Sequence, residues 1–172
     1  MGTSTNELRS AEIIRGIEEI GPEFIIEIPS STLKEILNHF EQHEGVHTFP
    51  VTREEEGIGI AAGLALADAK VVMVIQDNGI GNMLTALTTF PQAYHIPLLA
   101  IVSVRGGLNE YNSMIHTFCE YVPDILKASN VRYFTLDERV PIERWRPTIV
   151  EAYQYCQVTH RPVLVLCNLM GA

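Results

Sequence analysis

Eleven consecutive residues without a charge, Gly57 through Ala67, follow directly on three glutamates, Glu54, Glu55 and Glu56. All eleven are Gly, Ala, Ile or Leu. The pattern predicts a helix whose acidic first turn complements the positive end of its own dipole. A surface helix carries polar residues at every third or fourth position. This one is apolar all round and is therefore expected to be buried. Its small side chains admit close approach by another backbone or by a helix of another subunit. A carboxylate at the mouth of such a helix is partly stripped of water, which favours proton sharing. The glutamates thus read either as an ordinary acidic helix start or as a tuned functional carboxylate.

The rest of the chain alternates two periodicities. Leu8, Ile13, Ile14, Ile17 and Ile20 have helical spacing over 7–20, ended by Gly21-Pro22. Residues 1–6 are short and polar and are expected to be flexible. Phe24 to Ile28 lies between prolines and predicts a strand. Ser30, Ser31 and Thr32 offer N-caps to a second helix through Leu33, Ile36, Leu37 and Phe40. Val46 to Val51 is the second strand, Val71 to Ile75 the most central one, and Pro97 to Val104 the fourth. A polar stretch from Arg105 to Ser113 reads as a mobile loop. A helix over 114–128 interrupted by Pro123, a strand over 131–135, a helix over 140–157 and a strand over 162–167 complete the pattern. No hairpin signal intervenes. The expected class is α/β: a doubly wound, mainly parallel six-stranded sheet with helices on both faces, one domain over residues 1–172.

Composition narrows the function. The formal net charge of −9 argues against nucleic acid or an anionic membrane as a partner, and no apolar run has the length of a membrane span. With no apolar signal region behind Met1, a cytoplasmic location is expected. Three widely spaced cysteines suggest neither a disulfide framework nor a zinc site, and Cys167 reads as a small core residue. His39 and His43 are four apart on one helix, but no carboxylate completes a metal set at a specific spacing, so no metal ligand is assigned.

Ligands of such sheets sit at the carboxyl ends of the strands. There the loops after strands two, three and four converge, carrying Arg53 and Glu54, then Gln76 to Asn82, then Arg105 to Asn112. The segment Gln76 to Asn82 is neither a phosphate-binding P-loop nor a dinucleotide fingerprint, since only Gly79-x-Gly81 is present. It reads either as exposed N–H groups that hold an anion or polar ligand edge, or as a tight turn that needs glycine. His116 reads as a proton shuttle or a surface histidine.

Together, Val51 to Gly59, Gln76-Asp77-Asn78-Gly79-Ile80-Gly81-Asn82 and Ser103-Val104-Arg105-Gly106 resemble the pyrimidine-binding domain of thiamine diphosphate enzymes. Within that superfamily they are most similar to alpha subunits of sulfopyruvate decarboxylase, and next to the N-terminal half of phosphonopyruvate decarboxylase. The resemblance implies that one glutamate at the helix start hydrogen-bonds N1′ of the cofactor's aminopyrimidine and that a 2-oxo acid is decarboxylated to an aldehyde. For the nearest relatives this is sulfopyruvate, in coenzyme M biosynthesis. An ungapped match assigns the glutamate to Glu54; a one-residue shift would assign Glu55. Successive helical residues point about 100° apart, so the two cannot do the same job. The resemblance places Gln76, Asn78, Gly79, Gly81 and Asn82 around the cofactor, and Arg105 and His116 at the substrate.

Two departures bear on the substrate. Asp77-Asn78 stands where the relatives carry Asn-Ser, and Val104 stands where a His often precedes the Arg-Gly pair. The chain also contains no Gly-Asp-Gly, the motif by which such enzymes bind the metal that holds the diphosphate. The resemblance therefore implies a separate beta subunit carrying Mg2+ and the diphosphate site, and a second alpha subunit. Other readings are a phosphonopyruvate decarboxylase half, or a non-catalytic flavodoxin-like binding or regulatory module.

Overall fold

Runs such as Val71 to Ile75 lack any polar alternation, so they can be satisfied only by burial on both faces of a sheet. The computed structural model describes residues 4–108 and 110–170, and it shows this burial directly. The strands are β1 (Phe24–Glu27), β2 (His47–Pro50), β3 (Val71–Gln76), β4 (Leu98–Ser103), β5 (Arg132–Leu136) and β6 (Pro162–Cys167). The helices are α1 (Thr5–Ile20), α2 (Lys34–Glu41), α3 (Glu54–Leu66), α4 (Ile80–Leu87), α5 (Ser113–Cys119), α6 (Val122–Ala128) and α7 (Trp145–Thr159). The sheet runs β2-β1-β3-β4-β6-β5 and every pairing is parallel.

Alternate strand residues feed two cores. Ile25, Val72, Val74, Leu99, Ile101, Val163 and Val165 pack with α1, α2 and α7. Ile26, Met73, Ile75, Ala100, Val102, Leu164 and Leu166 pack with α3, α4 and α6. In the first core Trp145 is fully buried; its indole N–H donates to the Val140 carbonyl at 3.2 Å, and Arg9 lies over its ring.

One expectation is corrected. The helix α3 is not buried all round. Glu54, Gly57, Ile58, Ala61 and Ala62 face the core, whereas Gly59, Ile60, Gly63 and Leu66 are exposed. Small residues give so little side chain that one face suffices to seat the helix. Residues 1–3 lie outside the described residues, but Ser4 caps α1, its Oγ accepting from the Glu7 N–H at 3.2 Å while the Glu7 carboxylate accepts from the Ser4 N–H at 2.6 Å. Thr5 and Asn6 are already helical. The interruption expected near Pro123 is present: the stretch 114–128 is two helices, α5 and α6, with Pro123 in the first turn of α6, where its missing N–H costs no hydrogen bond. Among the described residues no helix is long and apolar enough to cross a membrane.

Trp145→Ala should lower the unfolding free energy by about 3–5 kcal/mol, read from urea unfolding, because it empties the centre of one core and orphans the Val140 carbonyl.

Candidate functional site

The strand order fixes where a site can form. The chain leaves β1 to one side for β2 and returns to the other side for β3, so a crevice opens at the carboxyl ends of β1 and β3. Polar side chains bridge the strand ends here. The Ser30 hydroxyl, in the loop after β1, donates to Gln76 Oε1 at the end of β3 at 2.6 Å. Thr32 and Ser103, at the end of β4, share a buried 2.6 Å hydrogen bond. Ser30 makes no cap hydrogen bond, so the capping role expected for this segment gives way to a cross-strand tie.

Of the three glutamates, Glu55 is partly exposed, although its Oε2 is buried without a hydrogen-bond partner among the described residues, and Glu54 is the most deeply buried. It is 8% exposed, and its Oε2 accepts from Asn82 Nδ2 at 2.9 Å. Its Oε1 accepts no hydrogen bond among the described residues. The side chain lies directly on Gly79, where an added Cβ would overlap the carboxylate and come within 2.6 Å of Cγ. Gly79 has φ −75° and ψ −12°, a conformation open to any residue, so its bareness serves the carboxylate and not the turn. Glu55 instead pairs with Arg53 at 2.6 Å; its own backbone N–H first, and Arg53 second, hold its carboxyl below the usual range, and Glu56 is exposed. The neighbours divide as helical geometry requires.

A second cluster surrounds Arg105. Its backbone N–H donates to Asp77 Oδ2 at 2.8 Å, its Nε to Glu110 Oε2 at 2.6 Å, and its Nη1 to Gln76 Oε1 at 3.3 Å. His116 uses both ring nitrogens, one on Glu120 at 2.6 Å and one on the Glu110 carbonyl at 3.0 Å. These acceptors raise its pKa, the Glu110 carbonyl foremost. The Arg105 side chain therefore holds Glu110 below the usual carboxylate range, at about 2. Arg105, expected at the substrate or as an ordinary loop cation, and His116, expected at the substrate, as a proton shuttle or as a surface histidine, are engaged in one network.

The third-strand loop is also corrected. Asp77 to Gly79 form a 3-10 turn that runs straight into α4, and Asp77 is fully buried with a carboxylate that accepts from Cys119 Sγ at 3.1 Å as well as from Arg105. A buried acid in this turn disfavours the anion cradle considered for it. Burial pushes the Asp77 pKa up to about 6 against the lowering effect of its hydrogen bonds. Asn78 is exposed, and Gly81 faces Phe118 of α5, 3.2 Å from where a Cβ would stand. A cavity of about 440 Å3 opens beyond Arg105 at the ends of β4, β5 and β6, lined by Asp77, Arg105, Cys119, Thr135, Asp137 and Asn168 among others, and does not include Glu54. The structure thus brings Glu54, Gly79 and Asn82 together, and joins Gln76, Arg105 and His116 in a second group. Sequence reasoning passed over Glu110 and Ser30, and saw Asp77 only as a departure from its relatives. An acidic residue within a strand-to-helix turn was the available signal for Asp77. Away from the site, His39 bonds Glu18 at 2.8 Å.

The thiamine pyrophosphate enzyme, N-terminal TPP binding domain family matches residues 10–118, a span that holds Glu54, Gln76, Gly79, Asn82 and Arg105. The chain belongs to this family. This TPP-binding domain is 30% identical to the sulfopyruvate decarboxylase subunit alpha of Methanococcus maripaludis, over 94% of this chain and 95% of that one. It is 31% identical to the subunit of the same name from Methanothermobacter thermautotrophicus, over 93% and 95%. A phosphonopyruvate decarboxylase of Streptomyces viridochromogenes is more distant, 27% identical over 62% of this chain and 27% of its own length. The all-parallel α/β sheet agrees with the fold that the resemblance implied.

Asp77 titrates higher in the folded chain than in the unfolded one. Its contribution to stability is complete below 3.8 and is lost as pH rises through about 6. Asp77→Asn removes that loss. Urea unfolding of the variant should flatten between pH 4 and pH 7 by on the order of 2 kcal/mol relative to the parent.

Proposed function

We propose that this chain is the pyrimidine-binding subunit of a thiamine diphosphate-dependent decarboxylase acting on sulfopyruvate, with Glu54 as its proton-sharing carboxylate. The seat of Glu54 carries the reading. A buried carboxylate at the positive end of a helix, oriented by Asn82 and lying on bare Gly79, keeps one oxygen without a hydrogen-bond partner among the described residues. That free oxygen suits a ring nitrogen of an aminopyrimidine, so the residues present fit the cofactor. Thiamine diphosphate, when bound, supplies the electron sink that allows carbon dioxide to leave a 2-oxo acid. The chain contributes orientation. Asn82 fixes the carboxylate plane and Gly79 sets its depth.

Arg105 is the proposed clamp for the substrate's distal anion, since a planar guanidinium suits sulfonate or carboxylate oxygens. His116 acts on it at one remove, by holding the backbone of Glu110. Gln76 joins Arg105 to Ser30 and so ties the clamp to the crevice.

The diphosphate and its Mg2+ belong, on this reading, to a beta subunit. The absence of Gly-Asp-Gly and the similarity to proteins named subunit alpha support this. The exposed face of α3 supports it too. Gly59 and Gly63 have nothing within 4 Å of a would-be Cβ, and Ile60 and Leu66 beside them are 41% and 63% exposed. Two glycine gaps between apolar side chains invite a second helix to close range.

Two experiments test the reading. With the co-expressed beta subunit, thiamine diphosphate and Mg2+, Glu54→Gln should lower kcat for carbon dioxide release from sulfopyruvate by about 10²–10⁴-fold, while Glu55→Gln and Glu56→Gln stay within a few-fold. Equal losses at all three would remove Glu54 from its role. Gly63→Glu should leave the urea midpoint of the isolated chain unchanged and abolish co-elution with the beta subunit in size-exclusion chromatography.

A further inference from the structure

The loop after β4 is folded inside out. Leu108 and Tyr111 are 98% and 96% exposed, while the Glu110 side chain between them is 3% exposed. A loop ordered only for stability buries its apolar residues and leaves its acid in water. Here the acid is inside because Arg105 is there to receive it. The Arg105 side chain is itself only 16% exposed, so the pair meets in a largely desolvated place.

The pairing is incomplete in a way that leaves room for a ligand. Glu110 meets the guanidinium through Nε alone; Nη1 goes to Gln76, and Nη2 donates no hydrogen bond among the described residues. Glu110 Oε1 turns back to the Asn112 N–H at 2.9 Å, so the loop supplies half of the carboxylate's partners. The Glu110 backbone is fixed separately, by His116 on its carbonyl. Gly106 and Gly107, with φ +83° and +87°, give the chain leaving Arg105 a left-handed course open to few other residues.

We propose that the Glu110 carboxylate is an internal stand-in for the substrate's distal anion, which occupies Arg105 until a sulfonate or similar oxyanion displaces it. This rests on the reading of Arg105 as the anion clamp. The exchange keeps the charge balance at Arg105 unchanged, so no bare cation or orphaned buried arginine arises at either stage. It also sets specificity. A 2-oxo acid with a second, distal anion can replace Glu110, whereas an uncharged tail has nothing to offer Arg105 and leaves Glu110 in place. A tethered competitor that holds the site nine-tenths of the time lowers apparent affinity about tenfold.

The test uses the assembled enzyme with Glu110→Gln, which keeps size and shape, and Glu110→Ala. Steady-state kinetics are measured with sulfopyruvate and with pyruvate, and the dissociation constant of unreactive sulfoacetate by calorimetry. KM for sulfopyruvate and Kd for sulfoacetate are expected to fall about tenfold in both variants, with KM for pyruvate unchanged within twofold. Adding Arg105→Ala to either variant should cancel the gain. An unchanged or raised Kd for sulfoacetate in Glu110→Gln, at an unaltered thermal midpoint, overturns the proposal and assigns Glu110 a structural role. Should the parent enzyme decarboxylate neither acid, the functional reading fails, and the sulfoacetate Kd still decides the role of Glu110. Loss of fold in Glu110→Ala leaves that decision with Glu110→Gln.

Discussion

The contact between the Glu54 carboxylate and the bare Cα of Gly79 is the constraint on which the site depends. A carboxylate taken from water must find compensation, and here it comes from three sources: the N-terminal end of α3, one amide donor from Asn82, and a surface flat enough to let it lie down. Gly79 and Asn82 both come from the junction of β3 with α4, and Glu54 from the start of α3. The packing of α3 beside α4 on one face of the sheet is what brings them to a single point. The proposed chemistry thus depends on how two helices sit on the sheet.

Around this contact the strand ends form a continuous polar rail. Ser30 reaches Gln76, Gln76 reaches Arg105, and Arg105 reaches Asp77 through its backbone and Glu110 through its side chain. The rail spans the crevice between β1 and β3 and continues to the mouth of the cavity at the ends of β4, β5 and β6. With a net charge of −9, the chain presents a repulsive field to an anionic substrate. One arginine held at a fixed place is then worth more than scattered surface cations, which salt screens.

Much of the fold was legible because periodicity reports burial, and burial on both faces of every central strand leaves few architectures. The bare run after Glu56 was misread for a related reason. An apolar run has no moment to show which face is wet, so a helix that meets solvent or a partner on one side looks identical to one sunk in a core. The helix break near Pro123 was visible, since proline acts locally. The choice among Glu54, Glu55 and Glu56 was partly legible, because helical geometry allows only one to face the core. The partnership of Arg105 with Glu110 was not. It depends on the path of a loop whose residues carry no repeating pattern, and nothing in an Arg-Gly-Gly sequence tells where an acid five residues on will turn. The role of Ser30 was hidden likewise, because a serine before a helix looks like a cap whether or not it becomes one.

The exposed face of α3 has a consequence at the level of production in the cell. A helix that shows Ile60 and Leu66 between two glycine gaps is a good surface for a designated partner and an indiscriminate one for anything else. A copy without its partner would carry that surface into contact with other unpartnered copies. On the reading of this chain as half of an enzyme, the two halves must be synthesised in matched amounts, since an excess of this one leaves that surface uncovered.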